Sequence, residues 1–287
     1  MAHAVRVDAH MHFWRYSATE YGWIDDSMAL LRRDFLPEDA AHEMRMAGID
    51  ACVAVQTRQT LEETRWLLAL ARQHPFIAGV VGWVDLRAAD LDAQLETLTA
   101  HPKLVGIRHI VQAEPDDFLL GDAFRRGVAC LARHGLAYDI LVYARQLPAA
   151  IGFAAALPDQ RLVLDHLGKP DIRAGAFDGW RQDLDRLAAF PNVCAKLSGL
   201  VTEADWRHWT AEDLHRYINA ALDSFGPERL MIGSDWPVCT VAGGYRDVLD
   251  VVRTAIAGRP PAERDAVLGR TAQRFWNLDV SSMERSV

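Results

Sequence analysis

Asp8, His10 and His12, within Val7-Asp8-Ala9-His10-Met11-His12, are the first residues in the chain whose types and spacing can do chemistry. The stretch reads as a short buried strand, in which side chains alternate between two faces. Asp8, His10 and His12 are therefore expected on one face, with Val7, Ala9 and Met11 on the other. Two neutral imidazoles two residues apart can bite one divalent cation. An H-x-H pair is short and common, however. A solvated, histidine-rich strand end fits it too until partners are found elsewhere.

The partners come from the ends of other apolar segments: Gln56, Trp83, Arg108 with His109, Asp139, His166, Lys196 with Ser198, and Asp235. Each has an ordinary reading of its own. His109 can be a hydrogen-bonded core histidine and Asp139 a helix cap. Arg108 and Lys196 can be interior charges paired with acids, because an unpaired buried charge is too costly. Polar residues at nearly every strand end are harder to explain by stability alone if those ends share one mouth.

The elements that would place them there follow from the pattern of apolar runs. Runs at 7–12, 49–56, 76–84, 104–110, 136–142, 161–166, 192–197 and 229–235 read as eight strands. Helical patterns lie between them at 37–48, 61–74, 91–99, 123–134, 145–156, 180–190 and 205–225, and two more at 245–257 and 261–275 close the chain. Eight strand–helix pairs with near-continuously apolar strands predict a single-domain α/β fold, a (β/α)8 TIM-like barrel. Its core is expected at about residues 5–276 of 1–287. An open doubly wound sheet is the rival, but the glycine-rich phosphate turn expected after its first strand is absent. Residues 13–36 form an unusually long connection carrying Phe13, Trp14, Tyr16, Tyr21 and Trp23. Such a loop either covers a site as a lid or sugar-stacking wall, or packs its aromatics on its own barrel.

The net charge of −8 and the lack of a basic stripe argue against nucleic acid and membrane surfaces as partners. Cys52, Cys130, Cys194 and Cys239 show no C-x-x-C pairing and read as free thiols of a reducing compartment. Neither a signal peptide at Met1–Arg6 nor an apolar run of membrane-spanning length is seen, so a cytoplasmic protein is expected.

His10-x-His12 after the first run, His166 after the sixth and Asp235 after the eighth resemble the amidohydrolase superfamily. The words Asp165-His166-Leu167-Gly168-Lys169-Pro170 and Gly233-Ser234-Asp235-Trp236-Pro237 are similar to those of its amidohydrolase-2 branch of sugar-lactone and pyrone-dicarboxylate lactonases. Within that branch the chain most resembles L-fuconolactone and L-rhamnonolactone hydrolases. The separated motifs agree in order across nearly the whole chain.

The resemblance implies hydrolysis of a small sugar lactone, L-fucono-1,5-lactone or a related 6-deoxy-aldonolactone, to the aldonic acid. It implies Asp235 as general base, with His166 and Arg108 as further catalytic groups and Trp14, Gln56, Trp83, His109, Lys196 and Trp236 as substrate-binding candidates. Superfamily members with two metals carry a bridging lysine or glutamate on strand four and a histidine on strand five. Here those strands offer Arg108-His109 and Tyr138-Asp139, so the expectation is one divalent metal on His10, His12, His166 and Asp235, or weak or absent binding. Three histidines suit zinc better than magnesium. Without a metal, Arg108, His166 or Lys196 must stabilise the oxyanion. Two alternatives stay open: a 2-pyrone-4,6-dicarboxylate-type lactonase, in which Arg108 and Lys169 bind a carboxylate, and a metal-dependent decarboxylase on the same barrel.

Overall fold

The structure, a computed structural model, describes residues 4–283. Met1–His3, part of the stretch read for a signal peptide, lie outside the described residues. Eight parallel strands run in sequential order: β1 (Val7–Met11), β2 (Ala51–Val55), β3 (Ile77–Gly82), β4 (Leu104–Ile110), β5 (Ala137–Leu141), β6 (Leu162–Leu164), β7 (Val193–Leu197) and β8 (Leu230–Ile232). Helices α1 (Pro37–Ala47), α2 (Leu61–Gln73), α3 (Leu91–Thr99), α4 (Asp122–Arg133), α5 (Leu147–Ala156), α6 (Asp178–Ala188), α7 (Ala211–Phe225) and α8 (Tyr245–Ala255) follow the strands in turn. The chain closes with α9 (Pro261–Asp265) and α10 (Thr271–Trp276).

The sheet curls until β1 meets β8. Asp235 N donates to His10 O at 2.8 Å and His12 N donates to Trp236 O at 2.7 Å. The seam that completes the (β/α)8 barrel is therefore made by the backbone of the candidate site residues.

Two apolar layers hold the barrel. Alternate strand residues such as Val7, Val53, Val81 and Met231 pack with one another and with Ala272, Phe275 and Trp276 of α10, which plug one end. The other strand face, with Met11, Cys52, Val80 and Leu164, packs on the surrounding helices. Among the described residues no helix is long and apolar enough to cross a membrane.

Three local expectations need correction. Strict alternation in β1 fails: the β1–β2 register shifts between Asp8 and Met11. Val7 and Ala9 face the barrel interior. Asp8 turns toward the helix layer, where it accepts from Tyr245 Oη at 2.9 Å and from the backbone N of His10 and Ser234. A bulge of this kind resets the two-residue period, so His10 and His12 both face inward without Asp8.

The helix expected over 205–225 starts only at Ala211. Asp205 accepts from the backbone N of Arg207 and His208, forming a turn, and Thr210 then caps α7 by accepting from Asp213 N. Strands six and eight are also shorter than their apolar runs imply. His166, Leu167, Gly168 and Lys169 all have positive φ, as does Asp235 at 59°.

The long loop divides its aromatics. Trp14 is fully buried and pairs backbone to backbone with Phe35. Trp23 is 43% exposed.

Candidate active site

Left-handed backbone is costly for residues with a Cβ, about 1–2 kcal/mol each, and such strain clusters at functional sites. Here it falls on His166 and Asp235, and it turns both side chains in toward His10 and His12 instead of continuing the strands. Two glycines make room. A Cβ on Gly233 would lie 2.9 Å from His10 Cβ, and one on Gly199 would lie 2.5 Å from His166 Nδ1.

The hydrogen bonds decide what each ring offers. His12 Nδ1 lies 2.8 Å from Val55 O. A carbonyl only accepts, so Nδ1 carries a proton, and in the neutral ring Nε2 carries a lone pair. That Nε2 sits 3.2 Å from His10 Nε2 and 3.2 Å from Asp235 Oδ1. His10 Nδ1 faces Asp165 Oδ1 at 3.4 Å, which leaves the His10 Nε2 lone pair pointing the same way. His166 Nδ1 bonds Ser198 Oγ at 2.9 Å, and its Nε2 is 3.9 Å from Asp235 Oδ1.

Lone pairs and a carboxylate oxygen thus converge with no donor between His12 and Asp235, an arrangement that a cation resolves. Ligand atoms of His10, His166 and Asp235 lie within 4.8 Å of one another, and His12 Nε2, 3.2 Å from His10 Nε2 and from Asp235 Oδ1, borders that group. Three imidazoles and one carboxylate, each imidazole oriented through its other nitrogen, fit a zinc ion.

Electrostatics agree with that assignment. Burial pushes His10 well below the usual imidazole range and His166 down to about 4, so both rings are neutral ligands at physiological pH. Burial pushes Asp235 up, but His166, His12 and His10 outweigh it and hold its carboxyl below the usual range.

Beneath the cluster lies a charged floor. Lys196 is fully buried and pairs with Asp139 and, at 2.9 Å, with Asp165. Arg108 donates to Asp165 at 3.0 Å and to Gln56 Oε1 at 3.1 Å. Lys196 Nζ and Arg108 NH1 approach the two nitrogens of His10 at 3.2 and 3.3 Å. Both interior cations are thus acid-paired, and Asp139 holds Lys196 rather than capping a helix.

Above the floor opens a cavity of about 610 Å³, into which His12, His166, Asp235 and Arg108 project. The six residues expected to bind substrate do not line it. Lys196 and Gln56 lie in the floor below. Trp14 and Trp236 pack on Phe35 in the apolar layer. Trp83 Nε1 donates to His109 Nδ1 at 3.4 Å, and His109 Nε2 donates to Glu114 at 2.9 Å, which makes His109 a hydrogen-bonded core histidine.

The wall is built instead by residues that include Trp23, Thr57, Tyr143, Lys169, Glu203 and Trp206. No periodicity marks Glu203 or Trp206. Asp165 was more accessible to reading, since an acid directly before His166 follows an apolar run.

The amidohydrolase family matches residues 7–278. The chain belongs to that family. It is 47% identical to an L-fucono-1,5-lactonase of Burkholderia multivorans over 96% of this chain and 97% of that protein. An L-fucono-1,5-lactonase of Burkholderia ambifaria is 40% identical, with 96% of each chain covered. A crystal structure of an amidohydrolase from Burkholderia multivorans with bound zinc superposes with a TM-score of 0.92 at 44% identity, covering 96% of this chain and all of that one. This amidohydrolase chain therefore matches its curated relatives along nearly their whole length and shares the fold of the zinc-bound structure.

Proposed function

We propose that this amidohydrolase opens L-fucono-1,5-lactone, or a related 6-deoxy-aldonolactone, to the aldonic acid, with one zinc ion held by His10, His12, His166 and Asp235. The observation that carries the reading is the 47% identity to an L-fucono-1,5-lactonase over nearly the full chain. The convergent His/Asp cluster at the cavity floor supports it chemically.

Zinc bound there supplies a Lewis acid that polarises a carbonyl or acidifies a water. The remaining chemistry belongs to the chain. Asp235, ionised and reaching the cavity, takes a proton from water as the water oxygen bonds to the lactone carbonyl carbon. Arg108, fixed by Asp165 and Gln56, brings positive charge to the same floor for the growing oxyanion. Lys196 is too deeply committed to its two acids for that role. As the bond from carbonyl carbon to ring oxygen breaks, Asp235 returns the proton to the departing alkoxide. Water is consumed, and the product acid ionises at neutral pH.

A single metal is supported by the charges around His10. Lys196 Nζ lies 3.2 Å from His10 Nδ1, so a second divalent cation on that side of the ring would meet a positive group.

A panel of aldonolactones, followed by proton release in weak buffer and corrected for spontaneous hydrolysis, tests the proposal. Turnover of a 6-deoxy-aldonolactone that stops on chelation and returns with zinc is expected. Turnover of a pyrone dicarboxylate, or CO2 release from a carboxylic acid, with every aldonolactone inert overturns the substrate assignment.

A further inference from the structure

Lys169 and Glu203 face each other on the cavity wall, with Lys169 Nζ donating to Glu203 Oε1 at 2.8 Å. Their side chains are only 16% and 18% exposed. Neither is a free surface residue. Lys169 ends the run of positive-φ residues that begins at His166, so the same backbone turn positions both. Glu203 is anchored by its own carbonyl, which accepts from Arg173 N at 2.9 Å, while its Oε1 lies 3.2 Å from Thr202 Oγ1, whose hydroxyl donates to Gly199 O at 2.8 Å. Trp206 stands beside the pair, its indole Nε1 tied to Thr202 O at 2.9 Å.

A half-buried ion pair is weak evidence for stability, because desolvation offsets the attraction. Its placement on the wall of a cavity, rather than under a helix, calls for another account. We propose that the Lys169–Glu203 pair selects the substrate: it binds adjacent hydroxyls of a neutral sugar lactone and turns away lactones that carry a carboxylate. The proposal rests on the lactonase reading and names the chemistry by which that site discriminates.

Two observations carry it. The first is the donor and acceptor inventory. The ammonium has N–H groups beyond the one given to Glu203, and Glu203 Oε2 makes no hydrogen bond among the described residues. A donor next to an acceptor matches a vicinal diol, in which each hydroxyl both gives and takes a hydrogen bond. The second is charge. The Lys and Arg side chains among the described cavity residues are Arg108 and Lys169, and each already has its acid, Asp165 at 3.0 Å and Glu203 at 2.8 Å. A substrate carboxylate brought to Lys169 would find the lysine matched and Glu203 repelling it. Lys169 alone reads as a carboxylate binder; Glu203 reverses that reading.

The test compares the wild type, Glu203→Gln and Lys169→Met on a neutral aldonolactone and on an aldarolactone of the same ring that carries a terminal carboxylate. Glu203→Gln keeps size and one acceptor while unmasking the lysine. Its ratio of kcat/KM, neutral over anionic, is expected to fall by about 10²-fold, chiefly through KM, as the like-charge repulsion of the anionic lactone is removed. Lys169→Met is expected to raise KM for the neutral lactone without admitting the anionic one. If Glu203→Gln changes both substrates by the same factor, or through kcat alone, the pair is structural and the proposal is overturned.

Thermal shift with an open-chain aldarate provides a second reading that does not need turnover. The aldarate should stabilise Glu203→Gln and leave the wild type unmoved. Equal shifts in both proteins overturn the proposal. If the wild type hydrolyses neither lactone, the activity reading fails on its own, and this binding measurement still decides the role of the pair.

Discussion

His12 gives its Nδ1 proton to the carbonyl oxygen of Val55 at 2.8 Å, across the seam between β1 and β2. In the neutral ring that bond leaves Nε2 as a lone pair only 3.2 Å from Asp235 Oδ1. Two acceptors at that distance are stable together when a cation lies between them.

The metal is therefore expected at one equivalent of zinc per chain by elemental analysis. His12→Asn removes a ligand whose orientation is already fixed, and metal affinity should drop by more than the 10- to 100-fold typical of losing a mere orienting partner. Two tightly held equivalents in the wild type would contradict the single centre, and so would unchanged affinity in the variant.

Asp235→Asn retains the shape of the side chain and loses the proton acceptor. A fall in kcat of about 10²-fold or more is expected, on the scale of a lost general base, with the circular dichroism of the folded protein preserved. A folded variant that still opens lactone near the wild-type rate would remove Asp235 from the mechanism.

Trp14 and Trp23 should behave oppositely although they share a loop. Trp14 is fully buried, so Trp14→Ala should cost about 3–5 kcal/mol of stability and leave KM of the remaining folded enzyme unchanged. Trp23 is 43% exposed and borders the cavity, so Trp23→Ala should raise KM with little change in Tm. Denaturant melts paired with steady-state kinetics read both quantities, and the reverse pattern would refute the division.

Gly199 adopts φ 61°, and a Cβ there would stand 2.5 Å from His166 Nδ1. Gly199→Ala should cost about 1–2 kcal/mol from the left-handed backbone. It should also displace the His166 ring, lowering kcat and zinc affinity together. A variant that loses stability with kcat and zinc affinity intact would show that the ring tolerates the intrusion.

Much of the architecture is readable along the chain for a simple reason. A strand of a parallel barrel is covered on both faces, so it must be a near-continuous apolar run, and eight such runs alternate with helical patterns. Polar residues at the ends of the runs mark the mouth, and the resemblance to the amidohydrolase superfamily singled out His10, His12, His166 and Asp235 among them. The words around His166 and Asp235 added order along the chain and pointed to the family.

What the sequence alone determined, then, was the element order, the barrel and a set of polar residues at or near its strand ends, some of which ring the mouth. Which way those residues face was decided only in three dimensions. Asp8 leaves the inner face because a bulge lets it bond Ser234 N and Tyr245 Oη, more than two hundred residues away in the chain. Lys196 sinks into the floor because Asp139 from the middle of β5 and Asp165 just after β6 both meet it. Trp14 and Trp236 are drawn off the cavity by Phe35, while Glu203 reaches it through a turn with no periodic signature. These outcomes depend on cross-strand bonds and on charges that find partners only once the sheet has closed, because a local pattern specifies a residue's neighbours in sequence and not the atoms it meets across a barrel.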